Sequence, residues 1–295
     1  MYHIFYHVAD LDGRCGGAIV AYWCEVHGHA YRLWPFNYGW EFPWEAIAPG
    51  DAVVLVDISL PPYLMRALAA GESSLVWLDH HATAIAATDD RGMDGLRDVA
   101  RAGCELAWAW CFPSRPAPWL VEIIGRYDVW DQADRLLWEG IIHPVQYGLQ
   151  RTPTDPALGM EPWRARFTLP FREEAILVAD LARAGEMVLD YLTQTWAEYL
   201  AAYGYVVELC GMRALCCNLG RTSAVAFDSA FRHGAHDLMV AYVHNGTTWK
   251  VSLYSSKPGV HCGEIARRYG GGGHAGAAGF TCAALPWAES PGGFL

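Results

Sequence analysis

Three short apolar runs near the start of the chain each end in side chains able to hold a hard cation. Leu75-Val76-Trp77-Leu78 is followed by Asp79-His80-His81, Ala52-Val53-Val54-Leu55-Val56 by Asp57, and Ile4-Phe5-Tyr6 by His7, with Asp10 and Asp12 just beyond. Groups just past the carboxyl ends of parallel strands converge on one crevice. Carboxylates and imidazoles crowded there repel one another unless cations sit between them. Oxygen and imidazole donors suit Mn²⁺, Mg²⁺ or Fe²⁺ better than a thiolate-type metal. Taken singly, two of these motifs have simpler readings. Asp10 and Asp12 fit an Asx-type turn capping a helix, with Gly13, Gly16 and Gly17 letting backbone approach a ligand at a helix start, and Asp57 fits an N-cap. Asp79-His80-His81 does not reduce in this way, because three ionisable groups directly after a buried strand are costly unless paired or metal-bound. The combination reads as a two-metal hydrolase.

The elements that must position these groups follow a β-α-β rhythm. Strands are expected at residues 2–6, 30–34, 52–56 and 75–78, and helices at 16–27, 62–70, 103–112 and 119–127. This argues for a parallel sheet covered on both faces. Residues 172–203 form a long helical pattern. Beyond it, strand-like segments at 205–209, 213–218, 237–243 and 248–254 come in quick succession, then a helix at 263–269 and the run Gly270-Gly271-Gly272-Gly273-His274. The expected architecture is α/β: an N-terminal parallel-sheet domain (1–172), a helical linker (173–203) and a smaller C-terminal α/β domain (204–295).

The chain has 295 residues, of which 53% are hydrophobic, so a substantial core is expected. Its net charge of −11, with Lys250 and Lys257 as its lysines, supplies no basic track for long duplex nucleic acid. Nine scattered cysteines without C-x-x-C spacing argue for reduced thiols rather than a disulfide framework or zinc knuckle. No signal peptide or membrane-spanning stretch is legible, so a cytoplasmic protein without membrane contact is expected. The 14 tryptophans read as packing, with Trp40, Trp44 and Trp130 nearest the expected site loops.

His7, Asp10, Asp12, Asp57 and Asp79-His80-His81 resemble the DHH phosphoesterase superfamily. Residues 270–280, with the glycine run, His274 and Ala277-Ala278-Gly279-Phe280, resemble the GGGH-x-x-AAGF signature of the DHHA1 domain. The stretches at 54–62 and 127–130 resemble an oligonucleotide-directed, nanoRNase-like branch. The resemblance implies two Mn²⁺ ions, with Mg²⁺ or Fe²⁺ as alternatives. One would be held by His7, Asp10 and Asp57, the other by Asp12, Asp57, His80 and a fourth acid. That acid belongs to an acid-x-acid-x-Trp stretch whose first acid is Arg126 here, which leaves Asp128, preferred over Asp131. Asp79 is then assigned to orient an imidazole, and His81 to face the phosphate or the attacking water.

In the C-terminal domain the resemblance assigns substrate binding to Gly271, Gly272, Gly273 and His274, the glycines exposing N–H groups to an anion. It also points to Asn218, Ser223, Tyr254 and Ser255. Tyr254 stands where the family pattern has a phosphate-gripping arginine. Lys257, Arg267 or Arg221 are candidates to compensate, and the Tyr254 ring could instead stack on a base. The activity implied is hydrolysis of short oligonucleotides or dinucleotides, extending to cyclic dinucleotides or 3′-phosphoadenosine 5′-phosphate. An inorganic pyrophosphatase or polyphosphatase, a processive single-strand exonuclease and a non-enzymatic nucleotide-sensing module are the alternatives. Homodimers occur in the family, and the sequence shows no interface signature of its own.

Overall fold

The first apolar runs do form strands, and the pleat sorts their side chains onto two cores. In chain order the N-terminal elements are β1 (Tyr2–His7), α1 (Leu11–His27), β2 (Tyr31–Phe36), β3 (Ala52–Val56), α2 (Pro62–Ala70), β4 (Ser74–Leu78), α3 (Ala82–Ala87), α4 (Gly103–Cys111), α5 (Trp119–Asp128), α6 (Arg135–Leu137), α7 (His143–Leu149), α8 (Glu161–Thr168) and α9 (Phe171–Tyr203). The computed structural model describes residues 1–220, 222–287 and the strand Gly293–Phe294. The chain divides into two units, Met1–Val188 and Leu189–Leu295.

In the first unit the sheet order is β2-β1-β3-β4, and every pairing is parallel. Ile4, Tyr6, Val54, Val56, Val76 and Leu78 face one core, which α1, α4 and α5 cover. Phe5, Val53, Leu55, Leu75 and Trp77 face the other, closed by Met65 and Leu68 of α2. A strand buried on both sides reads as a continuous apolar run, which is why no polar alternation marks β1, β3 or β4.

Helix α1 starts earlier than expected. Its first two turns, Leu11-Asp12-Gly13-Arg14-Cys15-Gly16-Gly17, are glycine-rich and intrinsically poor helix formers. Tertiary packing overrides that preference. A Cβ at Gly16 would lie 2.5 Å from Val56 Cγ1, and one at Gly17 would lie 2.6 Å from the Tyr6 ring. These glycines therefore seat α1 on β1 and β3, a role different from the ligand approach expected for them.

The second unit contains β5 (Tyr205–Leu209), β6 (Met212–Asn218), β7 (Leu238–His244), β8 (Trp249–Tyr254), α10 (Cys262–Arg267), β9 (Gly272–Gly273), β10 (Ala277–Cys282) and β11 (Gly293–Phe294). Its sheet runs β11-β5-β6-β7-β8-β10-β9, with β6–β7 parallel and the other pairings antiparallel. Val207, Val240, Val251, Leu253 and Phe280 build its core with Ile265 of α10. Among the described residues no helix is long and apolar enough to cross a membrane.

Gly16→Ala is expected to destabilise the protein by about 1–3 kcal/mol, the usual cost of overpacking. The urea midpoint should fall with an unchanged slope; an unaltered midpoint would mean that α1 does not depend on this close approach.

Candidate metal centre

Each predicted ligand is fixed by the end of an element. Asp10 caps α1: its Oδ1 accepts the Gly13 N–H at 3.0 Å, and its Oδ2 lies 2.9 Å from His7 Nδ1 at the end of β1. The cap uses one oxygen of Asp10 and leaves the other facing His7. Asp12 sits in the first helical turn, not in a loop as the sequence implied. Its Oδ2 accepts the Gly103 N–H and its Oδ1 the Cys104 N–H, both at 2.7 Å. The start of α4 therefore holds a buried carboxylate at the positive end of its dipole.

Asp57 follows β3 with φ 57°, in the left-handed region. Such backbone is uncommon for a residue with a side chain, though Asp tolerates it better than most, and it clusters at functional sites. The Asp57 N–H donates to Leu78 O at 2.8 Å, tying the turn to the neighbouring strand. Its Oδ2 lies 3.4 Å from His7 Nδ1, and its Oδ1 lies 3.2 Å from His80 Nε2. Asp57 is thereby common to two clusters, His7–Asp10–Asp57 and Asp12–Asp57–His80, whose donor atoms lie within 4.8 Å of one another in each. Asp128, the last residue of α5, places Oδ2 3.2 Å from His80 Nε2. Asp131 instead pairs with Arg126 at 2.8 Å. Arg126 is thus balanced locally, and Asp128 is the acid that faces His80.

Asp57 also belongs to a cluster with Asp79 and His81. Asp79 is poorly suited to ligate, because donors already surround it. Its Oδ1 accepts from the backbone N–H of His80 (2.8 Å) and His81 (3.1 Å) and from His81 Nδ1 (2.7 Å), while its Oδ2 accepts the Trp77 indole N–H at 3.0 Å. Asp79 therefore orients the His81 ring, leaving Nε2 as the other ring nitrogen.

The electrostatics call for positive charge. Burial, then the charges of Asp12 and Asp10, push the Asp57 carboxyl well above the usual range. Burial, then Asp12 and Asp57, do the same to Asp128. Asp57 Oδ1 and Asp128 Oδ2 are buried without a hydrogen-bond partner, a costly condition that a bound cation would relieve. The donors are carboxylate oxygens and imidazole nitrogens. The nearby Cys104 thiol instead lies 3.7 Å from Val121 O, and burial raises its pKa well above normal. This donor set fits hard divalent cations.

In the second unit the expected substrate residues are largely committed to the fold. The N–H groups of Gly270, Gly271 and His274 donate to Arg267 O, Ala266 O and Ala277 O. Gly272 and Gly273 pair as β9 with Gly279 and Ala278, and a Cβ at Gly271 would lie 2.1 Å from Gly279 O. The glycine run thus closes α10 and passes tightly against β10, and the N–H groups of Gly270, Gly271 and His274 are taken up within the fold. Ser255 Oγ donates to Asp237 O at 2.8 Å and accepts from the Lys257 N–H at 3.1 Å. The Lys257 ammonium pairs with the Asp237 carboxylate. The Tyr254 hydroxyl donates to Thr222 O at 2.8 Å, next to Ser223. Asn218 is level with Tyr242 and hence with Val251, away from Tyr254 along the sheet. Arg267 is exposed beside Glu264, and Arg221 lies outside the described residues. Tyr38, which no sequence pattern marks, stands beside His7 and His81.

Residues 225–289 match the DHHA1 domain. No curated protein matches the chain. Among solved structures, the chain is similar to the pGpG-specific phosphodiesterase PggH from Vibrio cholerae, at 13% identity and TM-score 0.51, over 96% of this chain and 94% of that one. It is also similar to RecJ from Thermus thermophilus in complex with Mn²⁺, at 17% identity and TM-score 0.51, over 95% of this chain and 49% of that one. At these identities the likeness is one of fold.

Two outcomes are expected from this geometry. A Cβ at Gly103 would lie 2.7 Å from Asp57 Cβ and 2.9 Å from Asp12 Oδ2. Gly103→Ala should therefore displace both carboxylates and lower Mn²⁺ stoichiometry, measured by metal analysis after dialysis; full metal content would contradict the placement. The second outcome concerns pH. The raised folded-state pKa of Asp57 and Asp128 means that the metal-free folded state binds more protons there than the unfolded chain does. Their contribution is present below the unfolded value of about 4 and is lost as pH rises through the folded values. The thermal stabilisation by Mn²⁺ over chelator should accordingly grow from pH 4.5 towards pH 7, as measured by scanning fluorimetry. A pH-independent increment would count against this cluster as the cation site.

Proposed function

We propose that this chain, a member of the DHH/DHHA1 phosphoesterase superfamily by its fold and its DHHA1 domain, hydrolyses phosphodiester bonds in dinucleotides and very short oligonucleotides. The observation that carries this reading is the sharing of Asp57 between two ligand clusters. Cations bound to a shared carboxylate, with Mn²⁺ as the proposed ion, supply Lewis acidity to both the attacking and leaving oxygens of a phosphodiester. The side chains supply the rest. Asp79 holds His81 by its Nδ1–H. Burial opposes charge on His81, but the Asp79 hydrogen bond and the Asp57 charge outweigh it and raise its proton affinity. So oriented, His81 would present its other ring nitrogen, Nε2, to a phosphate oxygen. No side-chain nucleophile is needed.

Substrate size follows from charge and extent. An acidic chain with two lysines lacks the cationic track that a long strand requires. It spans about half the length of RecJ, while its likeness to PggH runs end to end. A dinucleotide is favoured over 3′-phosphoadenosine 5′-phosphate, because a second phosphate needs a charged partner. Tyr254 offers none, and Lys257 is held by Asp237.

The test is Mn²⁺-dependent turnover across a dinucleotide, a pentanucleotide, a cyclic dinucleotide, 3′-phosphoadenosine 5′-phosphate and pyrophosphate. The dinucleotide should give the highest kcat/KM, and efficient digestion of long single strands would sink the small-substrate reading. Asp57→Asn should lose metal and turnover together. His81→Ala should keep its metal and lose about 10²–10⁴ in kcat; equal metal loss in both variants would contradict the role given to His81.

A further inference from the structure

The segment between β2 and β3 carries three large aromatic side chains that the fold does not bury: Tyr38, Trp40 and Trp44 are 49%, 56% and 40% exposed. The segment itself is firmly anchored. Phe42 is buried against Phe5, with ring centroids 4.6 Å apart. Residues 37–40 form a tight turn in which the Trp40 N–H donates to Asn37 O at 3.2 Å, and the Asn37 side chain accepts the Tyr38 N–H at 2.8 Å. Gly39 has φ 82°, the value that the third residue of a type II turn requires. Tyr38 is thus presented from a fixed backbone at the second position of that turn.

Its ring stands over the candidate centre. The centroid lies 5.6 Å from that of His7 and 6.1 Å from that of His81, at interplanar angles of 64° and 80°. Neither imidazole is parallel to it. Its hydroxyl lies within hydrogen-bonding reach of Ser59, while about half of the residue's surface remains open to solvent. A residue needed only for packing would bury its ring, whereas an exposed ring on a rigid turn beside a phosphate-directed centre has the form of a base-stacking platform.

We infer that Tyr38 is a specificity-determining residue that stacks on the nucleobase adjoining the scissile phosphate and so selects nucleotide phosphodiesters over phosphodiesters lacking a base. This inference rests on the phosphodiesterase reading above, and two independent readouts separate them. The first is kcat/KM, with Mn²⁺, for a dinucleotide and for its analogue lacking both bases. In Tyr38→Leu the ratio of dinucleotide to abasic kcat/KM should fall about 5- to 150-fold, the worth of one stacked base. In Tyr38→Phe, which keeps the ring, the ratio should stay near that of the wild type. The second is the Kd of a 2-aminopurine dinucleotide, read by fluorescence with Ca²⁺ in place of Mn²⁺, which should weaken in Tyr38→Leu and not in Tyr38→Phe. Binding that depends on the ring in a protein that hydrolyses no dinucleotide would sink the phosphodiesterase reading and uphold the platform. An unchanged Kd and ratio in Tyr38→Leu, equal loss on both substrates, or a loss in Tyr38→Phe matching that in Tyr38→Leu would overturn the role given to the ring.

Discussion

Burying Asp12 and Asp57 in one crevice, with the half-buried Asp128 beside them, is the constraint around which the first unit is arranged. Like charges in a dry site disfavour ionisation, yet hard-cation binding requires ionised ligands. The fold meets this conflict with fixed dipoles and covalent geometry. Helix α4 turns two N–H groups onto Asp12, and the α1 cap holds Asp10 against His7. The left-handed turn at Asp57 sets its carboxylate between His7 and His80. Close packing carries these positions back into the sheet. Gly16 and Gly17 seat α1 on β3 and β1, and Gly103 clears the space between Asp57 and Asp12.

Much of this was legible because strand ends announce themselves. Each apolar run stops at its first charged residue, and in a parallel sheet that residue's place is given by topology. Asp57 and Asp79 could be located from residue order for this reason, and the order separated Asp128 from Asp131 only through the family pattern. What was illegible depends on contacts between distant residues. The start of α1 at Leu11 reflects packing that overrides the poor propensity of a glycine-rich segment. The capture of Asp12 by Gly103 and Cys104 joins residues far apart in the chain. Tyr38 lies in a Trp- and Pro-rich connection with no periodicity, and its place beside His7 and His81 emerges only once β2 is set next to β1.

The glycine run at residues 270–273 shows how one composition serves different ends. Glycine permits a backbone nest for an anion, but it equally permits close passage of one chain segment over another. Here the β10 backbone and the end of α10 take up the space and several of the N–H groups. Tyr254, Ser255 and Lys257 are likewise engaged within the second unit.

The two ligand clusters differ in their access to water. Asp12, Asp57 and His80 have side chains at most 2% exposed and Asp128 beside them is 23% exposed, whereas Asp10 is 41% and His7 13% exposed. Water reaches the carboxylate of Asp10 more freely than those of Asp12 and Asp57. The clusters should thus differ in kinetics as well as in ligands. An ion seated beside Asp10 would therefore exchange with solvent more readily than one seated beside Asp12.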